Sequence, residues 1–224
     1  MEYRKFLLMK PATNTWFKGA LYLSFAFFCL LMLQITGKYI PWGTDIAFLQ
    51  IKQTEVHAYT YYLPFFYIHV YSAVFCLPAG FTQFNNKLLK RNKKVHRIMG
   101  YSYVLMVLLF AAPSGLVIGW HANGGPIAIL FFSLLALLWF WFTLKALLTA
   151  RNGQYKAHKH YMMRSFALAL SAITLRLYKV IIVKVWAPPP MDVYVLVSGL
   201  SWIPNLLFVE FLIRYRVAKR KVYI

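Results

Sequence analysis

Six predominantly apolar stretches follow one another along the chain, at residues 19–37, 59–84, 98–120, 126–144, 161–185 and 193–213. A helix needs roughly 20 residues to cross about 30 Å of hydrocarbon, and each stretch is of that order. The pattern predicts an all-α polytopic membrane protein, a bundle of six transmembrane helices. A basic leader (1–18) precedes it and a basic tail (214–224) follows. The first stretch is too long for a signal-peptide core and lacks a small-residue cleavage site, so it reads as a retained span. Prolines interrupt the pattern at Pro64 and Pro78, at Pro113-Ser114-Gly115 and at Pro204. Such breaks are tolerated in membrane helices when neighbours satisfy the freed carbonyls.

Inside the stretches, small and polar positions line up. His69, Ala73, Cys76, Gly80 and Gln83 recur at helical spacing, as do His96, Gly100, Tyr103, Val107 and Ser114. Ser165, Ala169, Ala172 and Arg176 form a third stripe. Residues three and four apart share a helix face, and small ones let helices approach closely. These stripes are therefore expected to face the bundle interior.

Charge gives the bundle a direction. Four Lys and Arg lie in the leader, six in 87–97, five in 145–164 and five in the tail. Against them stand Lys38, Lys52, Lys179 and Lys184 on the other side, with Arg176 inside a span. Basic residues gather in cytoplasmic loops, so both termini are expected in the cytoplasm. Topology thus accounts for the net charge of +20, and nucleic-acid binding is not expected. Only 13% of residues are charged, against about a quarter in soluble domains. Cys29 and Cys76 lie in apolar segments at different depths, which reads as packing rather than a disulfide framework.

Two layers could carry chemistry. An arginine near mid-span is costly and needs a partner, a cavity or a ligand. Counting from the outer ends places Arg176 level with His69 to within a turn or two. Two inward polar groups at one depth suggest an outward-facing site for a small anion or lipid headgroup. The plainer alternative is an arginine bonded to backbone carbonyls at a proline break, such as Pro113 or Pro204, or one reaching toward the outer surface. At the inner end, His96 opens the third span, while His158 and His160 lead into the fifth. Facing imidazoles can hold a haem iron, and imidazole also binds zinc or copper. His69, His96, His158 and His160 are the candidate metal ligands. Arg164 and Glu210 fall at one depth and read as a structural ion pair. Phosphate-loop, dinucleotide and Ser-His-Asp motifs are absent, and five acidic residues leave little room for a two-carboxylate hydrolase.

Three blocks, FYIHVYSAVFCLPAGFTQF, HRIMGYSYV and AHKHYMMRSFALALSAITLRL, resemble the signature blocks of an uncharacterised bacterial family of multi-helix membrane proteins. The likeness covers about 62–177, leaving out the first span and the tail. It implies a multi-pass protein of the bacterial cytoplasmic (inner) membrane. The histidine-led helices are in turn similar to transmembrane cytochrome b proteins of the ferric-reductase type. That likeness implies haem b, with His96 and His160 as an inner ligand pair and His69 as one ligand of an outer haem. The pattern departs where the fourth span offers no histidine and His121 lies in a turn.

Three functions follow as expectations. The first is a membrane oxidoreductase moving electrons through haem b, with Arg176 near a propionate or quinone. The second is anion or lipid-headgroup binding or transport at the His69/Arg176 layer. The third is an accessory subunit docking a membrane or periplasmic protein partner. The lipid bilayer is a partner in all three.

Overall fold

The computed structural model describes residues 15–221. The first fourteen residues of the leader and the last three of the tail lie outside them. Among the described residues, six helices are long and apolar enough to cross a membrane. They are α1 (Thr15–Gly37), α2 (Tyr62–Thr82), α3 (Lys93–Trp120), α4 (Gly125–Arg151), α5 (Tyr155–Val185) and α6 (Pro190–Lys219). No strand occurs among the described residues, so the chain is an all-α membrane protein. One end of the bundle carries the long 38–61 connection and is called here the loop end. The other carries the Lys- and Arg-rich connections and is the basic end.

Local chemistry sets the helix limits. Asn85 caps the short helix Asn86–Arg91, its side chain accepting from the Lys87 and Leu88 amides at 3.0 and 3.1 Å. Asn92 caps α3 in the same way, accepting from the Val95 amide at 3.1 Å. Gly124 adopts φ 86° before α4, where a Cβ would also stand 2.7 Å from Val195. Pro64 sits in the first turn of α2, where its missing N–H costs nothing, while Pro78 is truly internal. The sixth span was expected to break at Pro204, and it does so just before it, at Ser201–Trp202. Pro204 belongs to the first turn of the second half-helix. The carbonyl of Ser201 at this break is satisfied by Asn205 at 3.0 Å and by the Thr174 hydroxyl.

In α3 the chain widens into a π turn over Met106–Ala111, where the Ala112 amide reaches back to the Val107 carbonyl. The cause lies in Pro113, which cannot donate and whose ring presses on the preceding turn. This widening later proves to be part of the site.

The core lies between α2, α3, α4 and α5, with Trp202 of α6 closing one side. Its centre is polar. The Tyr103 and Thr143 hydroxyls each meet the Ser165 hydroxyl at 2.7 Å, and the Trp139 indole donates to Tyr103 at 3.2 Å. Tyr103, Thr143 and Ser165 are fully buried, which ties three helices together where no lipid can compete. Around this knot the small residues do what their spacing promised. A Cβ at Gly80 would stand 2.6 Å from the Phe166 ring and 2.8 Å from Tyr103. By contrast α1 is peripheral. It rests on α2 through Phe25 stacked on Phe81 at 4.0 Å and through Met32 against Leu77 and Ile173.

Gly80→Val should therefore cost about 1–3 kcal/mol through overpacking. Tyr103→Phe, which only removes hydrogen bonds, should cost about 1 kcal/mol. Thermal unfolding in detergent, with the two variants side by side, checks that order.

Candidate functional site

At the loop-end half of the bundle, α2 and α5 present their inward polar residues to each other. The His69 Nδ1 lies 2.9 Å from the carbonyl of Ala111, the last residue of the π turn. A carbonyl only accepts, so Nδ1 carries the proton and Nε2 keeps its lone pair. The ring is held flat against α3 by Gly115, where a Cβ would stand 3.0 Å from the imidazole. Among the described residues, Nε2 has no hydrogen-bond partner. The imidazole is fixed in tautomer and direction, with one nitrogen left over.

Arg176 faces the same region. It lies within electrostatic reach of His69 and of the Tyr39 hydroxyl. Its guanidinium donates to the Ala172 carbonyl at 2.6 Å, one turn earlier on its own helix. It pairs with no carboxylate among the described residues. The contact is to a backbone carbonyl, as the plainer expectation had it, but to one on its own helix. The carbonyl at the Ser201–Trp202 break goes to Thr174 and Asn205 instead. Among the described residues, the Ala172 carbonyl is the one hydrogen-bond acceptor given for the guanidinium.

The connection above this layer is built rather than loose. A 3₁₀ turn (Ala47–Ile51) and a short helix (Gln53–Ala58) fold it over the end of α2. Leu49 and Tyr39 pack there on Tyr62, Phe66 and Tyr67. Tyr39 is held from both sides, its hydroxyl accepting from the Phe48 amide at 3.2 Å and its carbonyl from Tyr71 at 2.8 Å. The clasp is Lys52, whose side chain is fully buried. It donates to Glu55 at 2.6 Å, to the His121 carbonyl and to the Asn123 side chain. His121 in turn accepts or donates through Nε2 to the Tyr61 hydroxyl at 3.0 Å. The loop end is therefore closed by polar contacts between the 38–61 connection and the α3–α4 turn.

At the basic end the histidines are arranged differently. His158 donates from Nδ1 to the Ala146 carbonyl at 2.8 Å, which leaves its Nε2 as an acceptor. It lies within electrostatic reach of His96. The His96 Nδ1 is buried and has no hydrogen-bond partner among the described residues. His160 is two positions beyond His158, and residues so spaced point to different sides of a helix. Among the described residues, no three of His, Cys, Asp and Glu come together to hold a metal ion. His69 lies in the other layer, and the remaining histidines offer a pair. A pair suits a group with two axial positions better than an ion that asks for three or four protein ligands.

Arg164 and Glu210 form a two-point ion pair between α5 and α6. The Arg164 Nε donates to one carboxylate oxygen at 2.9 Å, and Nη2 to the other at 3.1 Å. Arg214 flanks the same carboxylate at 3.7 Å. With all its charge so engaged, Glu210 serves the helix contact.

Residues 66–213 match the family described as "Predicted membrane protein (DUF2306)". The chain belongs to this family. The match extends past 177 through the sixth span, further than the three blocks suggested, and leaves α1 outside. No curated protein and no solved structure is significantly similar to the chain. The family description states membrane residence and no activity.

Three contributors were not legible beforehand. The Ala111 carbonyl carries no sequence signature. Tyr39 is one of 16 tyrosines. Lys52 had a signal, since it is one of the few basic residues away from the basic end, but that spoke for topology and not for burial. Lys52→Met should strand the Glu55 carboxylate and two further acceptors, lowering stability by about 3–5 kcal/mol. It should also expose 44–58 to protease in detergent-solubilised protein, a change that intact-mass analysis after limited proteolysis would detect.

Proposed function

We propose that this membrane protein binds a small anionic group, a free anion or a lipid headgroup, in the layer between His69 and Arg176. The observation that carries the reading is a guanidinium inside the bundle with no carboxylate among the described residues. An uncompensated charge at that depth is expensive and is met where a ligand supplies the counter-charge. His69 adds a second fixed contact, with Nε2 available to accept a proton-bearing oxygen. Arg176 then supplies several donors suited to a planar carboxylate or a phosphate. Tyr39, held from both sides, closes the layer toward the loop end. The basic end is assigned to the cytoplasm of a bacterial inner membrane, as the distribution of Lys and Arg supports.

Binding to the folded form raises stability, by about 2.7 kcal/mol at a hundredfold excess over Kd. Thermal unfolding at constant ionic strength is the test, with inorganic phosphate, acetate and glycerol 3-phosphate as probes. At least one probe should raise the Tm of the wild type, with the shift lost in Arg176→Gln and reduced in His69→Gln. A wild type that responds to none of the three contradicts the proposal.

A second reading is favoured by the buried, unpartnered Nδ1 of His96 beside His158. These two imidazoles, rather than His96 with His160, would be the residues that hold a haem b at the basic end. Bound there, a haem would supply one-electron chemistry. The chain's own part is to fix the His158 tautomer through the Ala146 carbonyl and to leave the buried His96 Nδ1 without a protein partner among the described residues. Protein expressed with ample haem should then show a Soret band and a reduced-minus-oxidised difference spectrum. Both should vanish in His96→Ala and His158→Ala and survive in His160→Ala. A colourless wild type rejects haem, and loss confined to His160→Ala restores the His96/His160 pairing.

A further inference from the structure

On the outside of the bundle, beginning at the depth of the basic-end histidines and away from the His69 layer, residues of α3 and α4 border a groove of about 590 Å³. Its walls are apolar, formed by Ile98, Leu105 and Leu109 of α3 and Leu147 of α4, with Tyr101 along one edge. One end is marked by Arg151, at the last position of α4. Leu108 and Leu109 of this wall belong to the π turn of α3.

Its dimensions fit one particular occupant. From Ile98 to Leu109 the helix rises about 16 Å at 1.5 Å per residue, close to half of a hydrocarbon core of about 30 Å. The groove therefore runs through one leaflet, from the interface toward the midplane. At the interface end the charge is of one sign. Arg151 is exposed and has no ion-pair partner among the described residues. Lys94 and Arg97 are exposed one turn above Ile98 and Tyr101 and share their helix face. No acidic residue lines the groove. An apolar channel of one-leaflet length, headed by three cations, matches a phospholipid with an acyl chain below and a negative headgroup above.

We propose that the α3–α4 groove is a binding site for an anionic phospholipid of the leaflet at the basic end. One acyl chain lies along Leu105, Leu109 and Leu147, and the phosphate sits against Arg151, with Lys94 and Arg97 drawing it to that end. The proposal is independent of the His69/Arg176 layer, which lies toward the opposite end of the bundle.

The test is lipid retention by native mass spectrometry. Protein in non-ionic detergent is titrated with phosphatidylglycerol and with phosphatidylcholine of identical chains. The wild type should retain phosphatidylglycerol in preference. Arg151→Gln should reduce that retention about fivefold, the factor equivalent to about 1 kcal/mol per basic residue near an anionic surface. Leu105→Trp, which fills the groove without touching charge, should lower retention of both lipids. Lys219→Gln, a basic change on the far tail, should leave retention as it was. Equal retention of the two lipids by wild type overturns the site. So does an equal loss in Lys219→Gln and Arg151→Gln, which would reduce the effect to net charge. Displacement of phosphatidylglycerol by inorganic phosphate at the same concentration also overturns it, since the apolar groove would then contribute nothing.

Discussion

A polar group inside a membrane protein must find its partner in the protein, because the surrounding lipid offers none. The contact among Tyr103, Thr143, Ser165 and Trp139 is the clearest expression of that constraint here. Three helices meet at a set of hydroxyls 2.7 Å apart, fully enclosed, with an indole donating into them. Apolar packing by itself would not fix the rotation of α3, α4 and α5 about their axes, since lipid tails are as apolar as leucine. Hydrogen bonds do, because turning any one helix leaves a buried hydroxyl unmet. Once those rotations are set, Gly80 must face Phe166, and His69 must face the far half of α3.

The same constraint explains why Pro113 matters beyond its own turn. A proline withholds a donor and loosens the helix before it, and α3 answers with a π turn. The turn ends at Ala111, whose carbonyl accepts a hydrogen bond from His69, and it also contains Leu108 and Leu109 of the outer groove. Satisfaction is not complete elsewhere: the Tyr62 and Ser133 hydroxyls, the His96 Nδ1 and the Trp202 indole are buried without a hydrogen-bond partner among the described residues. Arg176 has one carbonyl contact, on its own helix.

The periphery follows a different logic. α1 has only 6% of its span buried, and the family match begins inside α2, after it. Ring stacking and a few aliphatic contacts hold it against the bundle. The loop end, in contrast, is closed by a buried lysine whose three acceptors come from two separate connections. Charge is used there as a clasp and at the Arg164–Glu210 pair as a lock between helices.

The number of spans, the basic and loop ends and the inward faces of α2, α3 and α5 were determined by the chain's own pattern. Hydrophobic length and helical spacing are local properties, so His69, Gly80, Tyr103 and Ser165 could be assigned to the interior, and the likeness of three blocks to a membrane family held over a longer stretch. Arg164 and Glu210 could be matched because depth along a helix is simple counting. What tertiary structure decided was pairing across helices. His158 rather than a residue of its own stripe comes within reach of His96, Ala111 rather than a side chain receives His69, and Thr143 and Trp139 complete a knot that α4's uncharged sequence did not announce. Such choices depend on helix rotation and on which carbonyls a distortion frees, and neither quantity is written in the spacing of any one segment.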